Sequence, residues 1–223
     1  AVIQRVPEAV LLPLPEKDGM IDLGMARPLL APHLSNSQGI LIGCGSGDTP
    51  ATKALLEYIL AVSTAPVIID ADGLNVLARN LDLLKKKLAP VILTPHPGEM
   101  AKLCHVSTPQ VQENRYYMAL NFAQEYGVHV VLKGHETLIA TPDGRVVRNQ
   151  TGNPGLAKAG TGDVLAGIIA SLAAQGVSPD KAAIAGVWLH GLAGDRCAAR
   201  RSQYAMLAHD LLDDLEQIFL ENG

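Results

Sequence analysis

The chain has 223 residues, of which 48% are hydrophobic, so it can bury the core of one sizeable domain. Its formal net charge of −4 provides no basic surface for nucleic acid, and its apolar runs are shorter than the roughly 18 residues that span a bilayer. The three cysteines are far apart in the sequence, which argues against a disulfide framework and against a zinc site. We therefore expect a soluble cytoplasmic protein with neither a nucleic-acid nor a membrane partner.

The first part of the sequence gives weak structural signals. Residues 1–36 contain five prolines and only short apolar pieces. This composition predicts irregular chain with one strand at residues 10–14. The pattern changes at Gln38, after which strand and helix signals alternate.

A strand, a glycine turn and a helix follow one another over residues 40–62. Three aliphatic residues at 40–42 predict a short buried strand, and the pattern over about 50–62 predicts a helix. The turn between them has glycines at alternate positions but misses a dinucleotide fingerprint, because Asp48 occupies the place of the third glycine. A tight loop without a ligand is the alternative interpretation.

The next two predicted strands, at 66–69 and 91–94, end in polar side chains: Asp70, Asp72, Asn75, His96 and Glu99. Ligands bind at the carboxyl ends of strands in open α/β sheets, so these side chains are candidates for a site. Asp72 and Glu99 have an equally good interpretation as caps of the helices that follow them. His96 lies between two prolines, which favours a ligand contact over a place in the core.

A further predicted strand, in the middle of the chain, is also followed by a polar side chain. Residues 108–126 predict a long amphipathic helix with a scaffold role, and residues 129–132 predict a buried strand. Lys133 follows that strand beside a glycine, where its ammonium could meet a nucleotide phosphate; a solvated lysine is the alternative. Residues 138–140 and 146–147 predict a hairpin.

A glycine-rich loop at 153–162 leads into a helix that begins near Asp163. Gly155, Gly160 and Gly162 leave backbone amides uncovered just before the helix, where free donors and the positive end of the helix dipole attract anions. Asp163 could act beside such an anion as a general base, or it could simply cap the helix.

Two more helices, at about 179–200 and 207–220, complete the chain. In the first of them His190 is expected to be a packed, hydrogen-bonded side chain. Its predicted core residues are Trp188, Leu189 and Leu192. The alternation of strands and helices predicts a three-layer α/β/α sandwich with a mostly parallel sheet, whose polar strand ends converge on one edge.

The sequence Ala-Gly-Thr-Gly-Asp-Val-Leu-Ala-Gly at 159–167 resembles the signature of the ribokinase-like superfamily. Within it, the combination of Thr-Pro-His-Pro-Gly-Glu at 94–99 with Ala-Gly-Thr-Gly-Asp is similar to the ADP/ATP-dependent NAD(P)H-hydrate dehydratases. The segments that carry this resemblance follow in order at 43–47, 70–75, 94–99, 133–137, 153–167 and 190–195, with Asp210 at the end.

This resemblance implies a fold and an activity. The fold is ribokinase-like, and the activity is the dehydration of hydrated NADH or NADPH with ADP or ATP as co-substrate and Mg²⁺ as cofactor. Asp163 would be the catalytic base. The residues implied to contact the hydrated dinucleotide are Gly47, His96 and Asp163. Those implied to hold the adenine nucleotide are Lys133, Gly134, His135, Glu136, Thr137 and Gly162, and those of the anion hole are Ala159, Gly160, Thr161 and Gly162.

The chain departs from the family pattern in two places. Cys44 and Ser46 replace the Pro and Leu that are usual between the turn glycines. The family's domain also normally opens with some sixty more residues, including its first strands. We expect residues 1–223 to be a single ribokinase-like domain that lacks those strands, that forms a homo-oligomer, and that works beside an epimerase domain or partner.

Two alternatives remain open from the sequence. The same loop and base would serve a kinase that phosphorylates a vitamin precursor or a sugar, and the segment at 95–99 is what argues against it. The shortened chain could also be a module that binds nucleotide without turnover.

Overall fold

A computed structural model describes residues 6–222 of the chain as a sheet between two layers of helices. The strands are β1 (Glu16–Lys17), β2 (Met20–Ile21), β3 (Ile40–Ile42), β4 (Val67–Ile69), β5 (Val91–Leu93), β6 (His129–Leu132), β7 (Leu138–Ala140) and β8 (Val146–Arg148). The α-helices are α1 (Leu23–Asn36), α2 (Pro50–Val62), α3 (Ala71–Ala78), α4 (Pro97–Leu103), α5 (Thr108–Glu113), α6 (Arg115–Tyr126), α7 (Thr161–Ala174), α8 (Pro179–Ala205) and α9 (Asp210–Asn222).

The main sheet has six strands in the order β3-β4-β5-β6-β7-β8. The first four are parallel, and β7 and β8 continue the sheet as antiparallel neighbours. Alternate residues of each strand point to opposite faces, so Val67 and Ile69 enter one core cluster while Ile68 enters the other. The near-continuous apolar runs that marked these strands in the sequence therefore reflect burial on both faces.

Helices cover both faces of the sheet. Helices α2 to α6 supply most of the larger core on one face, and α1 packs against α2 and adds Leu34 to that core. On the other face α7 and α8 pack against Ile68, Ile92, Val131 and Ile139, and α9 packs against α8. The predicted three-layer sandwich with a mostly parallel sheet is confirmed. Within residues 6–222, no helix combines the length and apolarity needed to cross a membrane.

Most predicted elements of the second half lie where the sequence placed them, but the amino-terminal region differs. Residues 10–14 do not form a strand, and residues 23–36 form α1 although Pro28 and Pro32 lie inside it. Asp22 caps this helix through Met25 N, and the Arg27 guanidinium lies 5.1 Å from the centre of the Tyr58 ring on α2. Tertiary contacts thus stabilise a helix that local propensity disfavours.

Two further expectations were wrong. Residues 108–126 form two helices, because Asn114 has φ −130° and ψ 33° and interrupts the helical hydrogen bonding between α5 and α6. Trp188 is 44% exposed, whereas Leu189 is buried as predicted. Neighbouring residues on a helix lie about 100° apart, so the face that buries Leu189 turns Trp188 towards solvent.

The turn after β3 approaches the end of β4 more closely than side chains allow. Gly43 has φ +125°, and a Cβ atom on it would lie 1.8 Å from the carbonyl oxygen of Asp70. Gly73 completes the contact, because a Cβ there would lie 3.2 Å from the Cα of Gly43. Two glycines therefore bring the ends of β3 and β4 together at the carboxyl edge of the sheet.

We expect Gly43→Ala to destabilise the protein by more than about 2 kcal/mol, because the new methyl group cannot fit without moving backbone atoms. Urea unfolding measures this change. Gly167→Ala in α7 is the matched control: no atom lies within 4 Å of the added Cβ, and alanine should stabilise the helix by up to about 1 kcal/mol. Equal stability of the two variants would contradict the assigned contact.

Candidate active site

A buried ion pair links the ends of three neighbouring parallel strands. Lys133, which follows β6, places its Nζ 2.9 Å from Oδ1 of Asp70, which follows β4. The Thr94 hydroxyl at the end of β5 donates to the same oxygen over 2.7 Å. Glu99 Oε2 lies 3.8 Å from the ammonium. Two carboxylates therefore lie near one lysine at this edge. The ion pair itself is mostly shielded from water, because the Lys133 side chain is 19% exposed and the Asp70 side chain 2%.

His96 and Glu99 form a capping box at the start of α4. The backbone N–H of His96 donates to Glu99 Oε2 over 2.7 Å, and His96 Nδ1 accepts from the N–H groups of Gly98 and Glu99. The cap interpretation of Glu99 is confirmed. Because Nδ1 accepts, the neutral ring carries its proton on Nε2. The His96 side chain is 56% exposed and outside the core, and its Nε2 lies 3.5 Å from Glu99 Oε1.

The glycine-rich loop ends at the start of α7 next to Lys133. Gly160 has φ +86° and precedes the first helical residue, Thr161. Within residues 6–222 the N–H groups of Gly162 and Asp163 have no backbone or side-chain acceptor, as expected for a first helical turn. A Cβ at Gly162 would lie 3.3 Å from Lys133 Nζ. Free amides, a helix N-terminus and an ammonium therefore face one small volume, which favours an anion.

Residues late in the chain hold this loop in place. The Lys158 ammonium donates to the carbonyl oxygens of Gln203, Tyr204 and Met206 over 3.0, 2.8 and 2.8 Å. The Thr161 hydroxyl donates to carbonyl oxygens inside the loop itself. The end of α8 thus fixes the middle of the loop.

The beginning of the loop is fixed in a second place on α8. Asp195 accepts from Gly152 N over 2.8 Å and from Asn153 Nδ2 over 2.9 Å. The segment at 190–195 is one of those that carry the family resemblance, and its Asp195 holds the beginning of the glycine-rich loop.

Asp163 faces a second carboxylate and a thiol. Ligand atoms of Cys44, Asp70 and Asp163 all lie within 4.8 Å of one another. Burial, followed by the charges of Asp70 and Asp163, raises the pKa of the Cys44 thiol to about 12. The Cys44 side chain is therefore a neutral thiol at physiological pH.

Asp72 does not cap α3, contrary to one interpretation of the sequence. Its Oδ2 accepts from Gly47 N over 2.8 Å, while Asp70 is the residue that precedes the helix. Gly47 has φ +74°, and its carbonyl oxygen accepts from the Thr52 hydroxyl. Asp72 therefore fixes the end of the glycine turn at 43–47, beside the ion pair.

A cavity of about 580 Å³ opens between the loop after β6, the glycine-rich loop and α8. It brings together all six predicted nucleotide residues, and its lining includes His96, Lys133, Gly134, His135, Glu136, Thr137, Thr161 and Gly162. Gly47, Ala159, Gly160 and Asp163 lie outside this lining. Asp163 lies nearby, because its carboxylate is within 4.8 Å of the Asp70 carboxylate that pairs with Lys133.

Arg115 is a contributor that the sequence did not reveal. Its guanidinium donates to the carbonyl oxygens of Leu132, Lys133 and His135. A Cβ at Gly134, which has φ +140°, would lie 3.0 Å from this guanidinium. The glycine therefore makes room for Arg115, and the loop is held from the side of α6. The break at Asn114 places Arg115 in the first turn of α6, next to this loop.

His190 lines the far side of the cavity. Burial lowers its pKa to about 4, with a smaller effect of the Lys133 charge in the same direction and an opposing backbone hydrogen bond with Thr161. Its Nε2 atom is buried without a hydrogen-bond partner inside the described chain. The expected packed position is confirmed, whereas full hydrogen bonding is not.

Comparison with known proteins gives a consistent result. A family model described as NAD(P)H-hydrate dehydratase matches residues 4–217. The bifunctional NAD(P)H-hydrate repair enzyme of Moorella thermoacetica is 44% identical over 215 residues, which are 96% of this chain and 40% of that protein. The ADP-dependent (S)-NAD(P)H-hydrate dehydratase of Neisseria meningitidis is 47% identical over 158 residues, which are 70% of this chain and 53% of that protein.

A solved structure extends the likeness to the fold. The ADP/ATP-dependent NAD(P)H-hydrate dehydratase of Bacillus subtilis, co-crystallised with ATP and Mg²⁺, is 31% identical with a TM-score of 0.81. The alignment covers 99% of this chain and 76% of that one. The chain spans between about two fifths and a little over half of the length of the two curated relatives named above.

We expect acid to destabilise the protein through His190. The unfolded side chain binds a proton near pH 6.5 and the folded one near pH 4, so stability is lost as the pH falls between these values, by up to about 3 kcal/mol. Urea unfolding at pH 7 and pH 4.5 measures the loss. His190→Gln should reduce it, whereas His33→Gln on the exposed side of α1 should not. The same loss in both variants would contradict the assignment.

Proposed function

This chain belongs to the NAD(P)H-hydrate dehydratase family, and on that premise we propose that it uses ADP or ATP to dehydrate 6-hydroxylated NADH or NADPH back to the reduced cofactor. One observation carries the proposal. Gly162 and Lys133 line one cavity, and the Asp163 carboxylate lies outside the lining but within 4.8 Å of Asp70, which pairs with Lys133. Phosphoryl transfer to a hydroxyl group needs a base, an anion site and a nucleotide pocket in this arrangement.

We assign the nucleotide to the cavity. Its volume of about 580 Å³ suits a small-molecule ligand, and loop residues 133–137 line one wall. A nucleotide held there would direct its terminal phosphoryl group at the N–H groups of Gly162 and Asp163. Charge-assisted hydrogen bonds from Lys133 would add to this attraction.

We assign the hydrated dinucleotide to the opposite side, next to Asp163, His96 and Gly47. Asp163 would accept the proton of the 6-hydroxyl group. At the same time the hydroxyl oxygen would bond to the transferring phosphorus, while the bond from phosphorus to the nucleotide breaks. Loss of phosphate from that carbon, with loss of a proton from the neighbouring carbon, then restores the ring double bond. The exposed His96 side chain, whose Nε2–H lies 3.5 Å from Glu99 Oε1, would orient this substrate.

Mg²⁺ fits the side chains that surround the transfer point. Asp70 and Glu99 are carboxylates, and magnesium prefers hard oxygen ligands. When bound, the ion would offset the negative charge of the phosphoryl group. Asp70 and Glu99 would hold it, which leaves Asp163 free to accept the proton.

Three expectations about the setting remain predictions. The relative from Moorella thermoacetica is called bifunctional, and its extra length leaves room for a second activity, so we propose an epimerase domain or partner. We also propose a homo-oligomer and a cytoplasmic setting for the enzyme.

The direct test is to incubate the protein with hydrated NADH, Mg²⁺ and either ADP or ATP, and to follow the absorbance of the reduced nicotinamide. We expect recovery of absorbance only when a nucleotide is present. Calorimetric binding of nucleotide without any recovery would instead indicate a binding module. Accumulation of a phosphorylated vitamin alcohol, without action on hydrated NADH, would indicate a kinase.

Asp163→Asn should lower turnover by about 10²–10⁴-fold, because the amide cannot accept the hydroxyl proton. Nucleotide affinity, measured by calorimetry, should stay close to that of the unchanged protein. Asp82→Asn is the matched control, since its side chain is 86% exposed and far from the cavity lining. Unchanged turnover of Asp163→Asn would remove this residue from the role of base.

Lys133→Met should weaken nucleotide binding by about 1.5–3 kcal/mol and change the affinity for hydrated NADH little. The substitution also leaves Asp70 unpaired, so a second protein with Lys133→Met and Asp70→Asn restores neutrality and isolates the loss of the phosphate contact. Lys85→Met, on an exposed surface, is the control. Equal weakening for both ligands would mean that the two halves of the site are assigned the wrong way round.

A further inference from the structure

Three side chains from distant parts of the sequence meet beside the proposed base. Cys44 comes from the turn after β3, Asp70 from the end of β4, and Asp163 from the first turn of α7. Their ligand atoms lie within 4.8 Å of one another, and Cys44 Sγ is 3.8 Å from Asp70 Oδ2. No two of them are close in sequence, so the spacing rules that find metal motifs do not detect this group.

The distances suit coordination of one ion. Zinc binds thiolate sulfur at about 2.3 Å and carboxylate oxygen at about 2.0–2.2 Å, which separates ligand atoms by about 3.4–3.6 Å in a tetrahedron. Asp70 is fixed through Oδ1 by Lys133 and Thr94, which leaves Oδ2 for an ion. Cys44 is half-buried and Asp163 is exposed, so both can make the small rotations that remain.

The local charge also favours a cation. Asp70, Asp163 and Glu99 carry three negative charges, and Lys133 offsets one of them. The Lys133 ammonium bonds to the Asp70 oxygen that points away from Cys44. The free amides of α7 and Lys133 favour an anion on one side, whereas a divalent ion between Cys44 and Asp163 would meet the carboxylates of Asp70 and Asp163.

We propose that Cys44, Asp70 and Asp163 form a binding site for a thiophilic divalent ion of the zinc class, with a water molecule as the fourth ligand. The thiolate gives this site a preference that carboxylates alone do not provide, because magnesium avoids sulfur whereas zinc and cobalt accept it. Coordination requires the thiolate, so each ion bound releases the Cys44 proton to the solvent.

An ion at this site would make Asp163 unable to accept a proton. On the proposed function, which this consequence depends on, zinc is then a reversible inhibitor that acts in the presence of excess Mg²⁺. The binding of the ion does not depend on that function.

Titration of the reduced, metal-free chain with Co²⁺ tests the site directly. A thiolate bound to cobalt gives a charge-transfer absorption band in the near ultraviolet, and we expect this band to saturate at one Co²⁺ per chain. Addition of Zn²⁺ should abolish the band, whereas excess Mg²⁺ should leave it. Absence of the band in the unchanged protein would overturn the proposal.

Variants assign the ligands. Cys44→Ser should abolish the band, and Asp163→Asn should weaken Co²⁺ binding by at least about tenfold. Cys104→Ser is the matched control, because this half-buried cysteine lies at the end of α4, outside the cluster. A band that persists in Cys44→Ser, or that is lost in Cys104→Ser, would place the thiolate elsewhere and overturn the proposal.

Measurements of dehydration turnover test the proposed metal site and the proposed function separately. If the band forms and zinc inhibits dehydration at the concentration that displaces cobalt, both proposals stand. If the band forms but the protein does not dehydrate hydrated NADH, the metal site stands and the proposed function fails. Zinc inhibition of equal strength in Cys44→Ser would contradict the site.

Discussion

The ion pair between Lys133 and Asp70 is the interaction on which the rest of the site depends. It joins the ends of β4 and β6 across β5, and Thr94 on β5 contributes a hydrogen bond to the same carboxylate. Breaking such a pair by removing one partner leaves a buried charge and typically costs about 3–5 kcal/mol. The pair also places an ammonium beside the start of α7, where the free amides lie.

Everything else at this edge is arranged around that pair. Gly43 and Gly73 bring the turn after β3 against Asp70, and Arg115 holds the loop that follows Lys133. Lys158 and Asp195 hold the glycine-rich loop from α8. The two layers of helices thus fix opposite walls of the cleft, and the sheet supplies the charged residues between them.

The sequence predicted those parts of the fold that local pattern determines. Buried strands gave apolar runs, polar side chains marked the strand ends, and the glycine-rich loop marked the start of α7. It did not predict α1, whose prolines are tolerated because α2 supports the helix, or the break at Asn114. Pairings across long separations, such as Lys133 with Asp70 at 63 residues apart, leave no local signal. The Cys44 cluster and the contact of Arg115 with the Gly134 loop were missed for the same reason.

The attachment of Lys158 to the end of α8 has a consequence for the order in which the site forms during synthesis. The carbonyl groups that accept its protons lie 45 to 48 residues later in the chain. While the ribosome is still adding those residues, the strands that carry Asp70 and Lys133 are already available to pair, but the glycine-rich loop still lacks the three acceptors of Lys158. This loop is therefore fixed only after α8 has emerged, so a nascent chain can assemble its sheet before the edge beside Lys133 is complete.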